Sequence, residues 1–270
     1  MSNNFNSLYD IGMRNLIKDA LVISVKPQGE NNRTVCLLTD EGIEYAILYG
    51  GPKSRIKALV SPWNRGIMYI YSDPSKNSSK ITDFDVKQYH PSFRESLFKS
   101  WAAAFAGEVV VKTKCAGSPG QAFFLLNGFL DGLELTDENT GRRGLIRFLW
   151  RYLELLGVRP DTSRCAECDK DFFAGKIEPF NVSYSGKISY SHLENGFLCS
   201  ECSAGSRDFP ELSESSLLYL NISEGSNMQA ARQFPLEERQ LNELRQFVFS
   251  MIENAAGFRF RSLESGAGIL

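Results

Sequence analysis

Two C-x-x-C pairs, Cys165-Ala166-Glu167-Cys168 and Cys199-Ser200-Glu201-Cys202, constrain this chain more than any other feature. Zinc favours tetrahedral sulfur coordination, and each pair is a turn that offers two thiolates at the right reach. The spacing therefore predicts one zinc ion held by Cys165, Cys168, Cys199 and Cys202. Redox-active dithiols are the competing interpretation, but they belong to a thioredoxin-like βαβ context that these pairs lack. Four thiolates leave no position for water, so the expected site is structural and not catalytic. Thirty residues separate the pairs. Within them, Asn181-Val182-Ser183-Tyr184 and Ile188-Ser189-Tyr190 flank Ser185-Gly186-Lys187, a hairpin pattern that would return the two ends to one place. The remaining cysteines, Cys36 and Cys115, sit alone among apolar neighbours and read as small buried hydrophobes.

With 270 residues, 43% hydrophobic and 23% charged, the chain has room for more than one folding unit. Its longest apolar runs are too short to span a bilayer, and residues 1–6 carry no basic stretch ahead of an apolar core. A cytoplasmic protein without membrane contact is expected.

Five short strands are predicted, at 20–25, 33–38, 43–49, 66–71 and 80–86, separated by polar or glycine turns. Such a run suits a small antiparallel barrel; a β-sandwich fragment is the alternative. From Ser92 the pattern turns helical, with Phe93, Leu97, Trp101, Phe105 and Val109 at helical spacing, until Gly117-Ser118-Pro119-Gly120 breaks it. Further helices are predicted at 121–135, 142–156, 211–223 and 236–253, with a polar loop at 136–141 and a loose tail at 262–270. The predicted fold class is α+β and multidomain. An N-terminal five-stranded OB-type barrel (1–86) precedes an all-α helical domain (87–162 and 207–270), which carries an inserted zinc module (163–206).

Catalytic signatures are missing. The only histidines are His90 and His192, and there is no G-x-S-x-G, Walker-type loop or H-E-x-x-H. Gly50-Gly51-Pro52-Lys53-Ser54 lacks the glycine spacing of a phosphate loop, and its proline removes an N–H donor. A non-enzyme is expected.

Net charge is −2, which argues against a general nucleic-acid binder, but residues 1–80 carry +3 and the remainder −5. Within the β unit, Lys53, Arg55 and Lys57 follow the third strand, and Lys26, Arg33 and Arg65 lie near other strand ends. Small barrels bind single strands through a charged groove and stacking aromatics. Tyr45, Tyr49, Trp63, Tyr69 and Tyr71 are available for stacking, though about half of them would serve as core.

Three stretches carry a family resemblance. The first joins Ala20-Leu21-Val22-Ile23, Gly29-Glu30-Asn31-Asn32-Arg33-Thr34-Val35, Leu38-Thr39-Asp40-Glu41-Gly42 and Gly50-Gly51-Pro52-Lys53-Ser54-Arg55. The second is Arg147-Phe148-Leu149-Trp150-Arg151-Tyr152-Leu153-Glu154-Leu155-Leu156-Gly157-Val158-Arg159-Pro160, and the third is the cysteine quartet that follows it. In this order they resemble the bacterial RecO family of recombination mediators, over nearly the whole chain.

The resemblance implies a DNA repair protein without catalytic turnover. It would bind single- and double-stranded DNA and anneal complementary strands. Its partners would be the C-terminal tail of single-stranded DNA-binding protein and RecR, and through them it would help load RecA. An acidic tail needs an apolar pocket with a basic rim. Arg142, Arg143, Arg147 and Arg151 beside Phe148 are the implied contacts, Arg147 first; a solvated helix face is the alternative. Two other classes stand beside this one: a zinc-stabilised adaptor without direct DNA binding, and an enzyme using a cleft.

Overall fold

The computed structural model describes residues 14–50, 54–174, 186–204, 210–225 and 228–270. It divides into two compact units, Met1–His90 and Pro91–Leu270.

The first unit is the barrel. Strands β1 (Arg14–Gln28), β2 (Asn32–Thr39), β3 (Gly42–Leu48), β4 (Arg65–Asp73) and β5 (Ser78–Gln88) close in the order β1-β2-β3-β5-β4, with the short helix α1 (Arg55–Leu59) after β3. All pairings are antiparallel except β3 with β5, which run parallel at Ile47 and Lys80. Alternation fills the interior, because every second side chain of a strand faces the same way. Val35 and Leu37 of β2, Ala46 and Leu48 of β3, and Met68 and Ile70 of β4 all point into one core with Phe84 of β5. This is the expected OB-type barrel.

The strand β1 begins six residues earlier than its apolar pattern suggests, because its charges are paired. Lys18 Nζ lies 2.7 Å from Glu41 and 2.5 Å from Glu44, and Arg65 holds the Asp19 carboxylate with two bonds of 3.1 and 2.6 Å. At Gly66, where the β4–β5 register shifts, the two backbones touch. A Cβ on Gly66 would stand 2.1 Å from the Asp85 carbonyl oxygen and 2.8 Å from Val86 Cα. Backbone cannot yield as a side chain does. Gly66→Ala is therefore expected to lower stability on the order of 3 kcal/mol, read as a shifted urea midpoint of the full chain.

The second unit is built from α2 (Leu97–Lys112), α3 (Pro119–Glu134), α4 (Glu138–Leu155), α5 (Glu214–Glu224), α6 (Met228–Gln233), α7 (Glu238–Ala256) and α8 (Arg261–Ser265). The central helix is α4, which packs against α2, α3, α5 and α7 and buries Leu149, Trp150, Tyr152 and Leu153 completely. Between α4 and α5 a three-stranded sheet, β7-β6-β8, is formed by β6 (Lys187–Ser191), β7 (Gly196–Leu198) and β8 (Glu211–Ser213).

Three expectations are corrected here. Residues 138–141 are helix and not loop, because the Asp137 carboxylate accepts from the Thr140 amide at 2.8 Å and caps α4 early. Residues 211–213 are strand, and α5 starts only after Ser213, whose hydroxyl accepts from the Ser216 amide at 3.2 Å. The tail is not loose. Glu108 accepts the Ser262 amide at 2.8 Å, and Arg142 and Arg245 donate to the Ile269 and Leu270 carbonyls at 2.6 Å each, with Leu270 buried. The insertion carries its own strands, β6 and β7, and β8 joins them from the residues that follow it. Of the predicted hairpin, Ile188-Ser189-Tyr190 lies in β6 and pairs with β7 and β8, while Asn181-Val182-Ser183-Tyr184 lies outside the described residues.

Candidate metal centre and cationic surfaces

The insertion brings the four thiols together. All four Sγ atoms lie within 4.8 Å of one another, and Cys168 and Cys199 are 3.8 Å apart. Zinc–sulfur bonds of about 2.3 Å in a tetrahedron place sulfurs about 3.8 Å apart, so the donor set fits one such ion. Backbone fixes the arrangement: the Ala166 amide donates to the Phe197 carbonyl at 2.8 Å, tying the first turn to β7 just before Cys199. Burial alone would raise the Cys165 thiol. The amides of Cys168, Cys199 and Glu167 overcome that and bring it down to about 6, into the thiolate range a metal needs. The Cys202 thiol is pushed up by the sulfurs of Cys168 and Cys199.

On the helical unit, α3 and α4 flank an apolar cleft of about 360 Å³, closed on its far side by α5 and α6. Helical spacing of 4 puts Arg143, Arg147 and Arg151 on one face of α4, and all three line it together with Phe148 and Arg232. No carboxylate is among its lining residues within the described part of the chain. Arg143 is committed within the fold, donating to the Phe234 and Leu236 carbonyls at 3.1 Å each. Arg147 donates to the Gly225 carbonyl at 2.8 Å. Among the described residues Arg147 and Arg151 have an unpartnered, buried Nε. Burial lowers the Arg147 pKa, and the like charges of Arg151 and Arg232 lower it further. Such crowding of cations without an acid is relieved by an anion. Tyr219 supplies part of the wall; burial raises its hydroxyl to about 12, and the hydroxyl donates to the Arg143 carbonyl at 3.1 Å.

Arg142 departs from the group. One position off the stripe, it faces away from the cleft, bonds Glu138 and Ile269, and lies 4.7 Å over the Phe98 ring. Arg232 and Tyr219 escaped the sequence, because α5 and α6 are remote in the chain and nothing local to them signals a shared cleft.

Helical glycines also line this cleft. Gly141 is required by packing, since its Cβ would meet Phe98 at 2.8 Å. Gly128, Gly132 and Gly144 are not: a Cβ would meet nothing within 4 Å, Arg232 at 3.8 Å and Phe129 at 3.8 Å respectively. Each helical glycine costs about 1 kcal/mol relative to alanine.

On the barrel, Lys26 and Arg33 flank the β1–β2 turn in successive cross-strand pairs, which face opposite sides of the ribbon, and Lys57 reaches the turn from α1. Lys26 is exposed, Pro27 pairs with Arg33, and Lys57 donates to the Asn31 carbonyl at 2.7 Å. Arg55 is exposed on α1, and Lys53 lies outside the described residues. Arg65 does not join them; it is paired with Asp19. Of the aromatics, Tyr45, Tyr49 and Tyr69 are exposed, while Trp63 and Tyr71 are half-buried. The β3–β5–β4 pairing sets Lys80 beside Tyr71 and 5.5 Å over the Tyr49 ring. Sequence reasoning missed Lys80, because only strand pairing brings it there. His90 is buried with Nδ1 2.7 Å from the Trp63 carbonyl oxygen.

A closed five-stranded barrel followed by a helical body with a four-cysteine insertion defines the structural class. Within it, the model of the recombination protein O C-terminal family matches residues 94–264. The chain is 24% identical over 253 residues, 92% of each chain, to the DNA repair protein RecO of Bacillus pumilus (strain SAFR-032). It is 26% identical over 250 residues to that of Exiguobacterium sibiricum, covering 90% of this chain and 93% of the other. With that of Shouchella clausii it shares 32% over 198 residues, 68% of each chain. The chain belongs to the recombination protein O (RecO) family of DNA repair proteins. No helix among the described residues is long and apolar enough to cross a membrane.

Proposed function

We propose that this protein is a recombination mediator without catalytic turnover, working in the cytoplasm near the nucleoid. The barrel binds single- and double-stranded DNA and brings complementary strands together. The helical unit holds the acidic C-terminal tail of single-stranded DNA-binding protein, and with RecR the protein helps load RecA. One structural zinc ion occupies the cysteine quartet. The single observation that carries this function is the apolar cleft rimmed by Arg143, Arg147, Arg151 and Arg232 with no carboxylate in its lining among the described residues. Charge-assisted hydrogen bonds to an acidic peptide, made in a site with an apolar floor, are the strong kind.

DNA contact rests on phosphates. Lys26, Arg33, Lys53, Arg55 and Lys57 neutralise backbone charge without reading sequence, so affinity falls as salt rises. Tyr45 and Tyr49 offer faces for stacking bases, with Lys80 between strands. A second function has its own support: Arg65 is spent on Asp19 and Lys57 bonds the Asn31 carbonyl, which favours a zinc-stabilised adaptor that leaves DNA to its partners.

Annealing of labelled complementary strands coated with the cognate single-stranded DNA-binding protein separates the two. The mediator accelerates annealing, loses the effect as salt rises, and loses it again when the acidic tail of the coating protein is removed. Lys53→Glu with Arg55→Glu is expected to weaken DNA binding about tenfold or more, since two phosphate contacts become repulsions. Unchanged DNA affinity in that variant, with no acceleration on bare strands, leaves the adaptor.

A further inference from the structure

The two C-x-x-C turns bring their four sulfurs within 4.8 Å of one another but expose them unequally. Cys165 and Cys199 are buried, Cys202 is half-buried, and Cys168 alone is exposed. The Cys165 sulfur faces inward and accepts the Cys199 amide at 3.4 Å. The Cys165 amide donates to the Lys170 carbonyl at 2.9 Å, which locks the root of the first turn and leaves Cys168 at its outer side. Oxidation of cysteine follows exposure and thiolate character, so a dissolved oxidant meets Cys168 first. The sulfur of Cys199 lies 3.8 Å from it, across the two turns. The chain is already tied at that place, because the Ala166 amide donates to the Phe197 carbonyl at 2.8 Å. Joining Cys168 to Cys199 therefore asks for little backbone movement and keeps the first turn beside β7. The other two cysteines do not compete: Cys36 of the barrel and Cys115 between α2 and α3 are 5% and 2% exposed.

We propose that Cys168 is an oxidation site: a peroxide attacks it, Cys199 closes the product into a cross-turn disulfide, and the insertion gives up its metal with its two turns still clipped together. In the first step the Cys168 thiolate attacks one oxygen of hydrogen peroxide and the O–O bond breaks. Cys168 becomes a sulfenic acid, and the hydroxide that leaves takes a proton as water. In the second step the Cys199 thiolate attacks the Cys168 sulfur, the S–O bond breaks, and the second hydroxide leaves as water in the same way. The two cysteines together lose two electrons, and the peroxide gains them. Cys165 and Cys202 are then too few to complete a four-sulfur shell, and each takes up a proton as the metal departs. Reduction of the disulfide by a thiol restores the four donors. All of this rests on the quartet holding zinc in the resting protein.

The test uses the full chain loaded with zinc and freed of excess metal, with a chromogenic chelator reporting what is released. Hydrogen peroxide is expected to free about one zinc ion per chain, about tenfold or more faster than the chelator alone does. Peptide mapping by mass spectrometry is expected to find Cys168 joined to Cys199, with Cys36 and Cys115 still free thiols. Dithiothreitol followed by added zinc is expected to return the metal. Cys168→His keeps four donors but removes the thiol that is attacked first, so its release under peroxide is expected to slow about tenfold or more. Should that variant fail to take up zinc, the disulfide map of the wild-type protein decides alone. A map that joins Cys165 to Cys168 overturns the cross-turn disulfide. Zinc retained after the same peroxide has consumed free N-acetylcysteine in the same tube overturns the oxidation site and leaves the structural zinc standing. Protein that carries no zinc before peroxide is added overturns both.

Discussion

Cys165→Ser is expected to drop bound zinc from about one ion per chain to nearly none and to unfold the insertion. The sheet at stake is small: β6 has 5 residues, β7 has 3 and β8 has 3. Strands this short do not hold together unaided. Structural zinc contributes on the order of 10 kcal/mol to domains of this kind, far more than those few ladder bonds. The damage spreads inward. Tyr190 meets Phe247 of α7 edge-to-face at 5.1 Å, Phe197 meets it tilted at 5.7 Å, and Trp150 lies 6.5 Å from Phe247, fully buried. Losing the sheet wets Phe247 and then Trp150. The measurements are metal content, the red shift of tryptophan emission, and a melting temperature lowered by roughly 10 °C, the scale that several kcal/mol gives a unit this size. Cys168→His keeps a Cys₃His donor set at the most exposed corner and is expected to retain the ion. Wild-type protein isolated without zinc and with a reducible disulfide would remove the structural-metal role altogether.

Much of the fold is written in local pattern, and its departures have local causes. The cysteine quartet was legible because two C-x-x-C turns say the same thing wherever they fall. The barrel strands were legible where alternation was clean, and β1 was cut short where Lys18 and Asp19 interrupt it. Those charges survive in a strand only because Glu41, Glu44 and Arg65 come to meet them from other strands. Asp137 was readable in principle as a cap, with Thr140 three residues on, but Gly141 masked the start of α4. The cleft was half-legible. Arginines at 143, 147 and 151 mark one face by spacing, whereas the departure of Arg142 depends on Ile269, more than a hundred residues away. Arg232, Tyr219 and the row of Tyr49, Lys80 and Tyr71 are products of tertiary pairing, and no window of sequence contains them. The open space over Gly128 is likewise a property of assembled helices.

Arg147→Glu with Arg151→Glu is expected to weaken binding of the acidic tail at least a hundredfold while leaving the fold nearly intact. Truncating one partner of a desolvated charged pair costs about 2–5 kcal/mol, and reversing the sign adds repulsion from the peptide's own carboxylates. Arg147 carries the larger share, because burial and the like charges of Arg151 and Arg232 weigh on it. The fold loses little: Arg147 gives up one bond to the Gly225 carbonyl, and the buried Arg151 Nε has no partner among the described residues. Arg142→Ala is the informative contrast. It takes away donors to Glu138 and Ile269 and a cation from the Phe98 face, so stability is expected to fall by about 1–2 kcal/mol. Peptide affinity should not move, since Arg142 does not line the cleft. Titrating the labelled tail peptide into each variant, beside its thermal melt, reads both effects. Raising salt should narrow the gap between wild type and the double variant, as screening acts on the exposed rim. Equal peptide affinity in wild type and double variant would show that α4 carries a solvated arginine face and that the tail binds elsewhere.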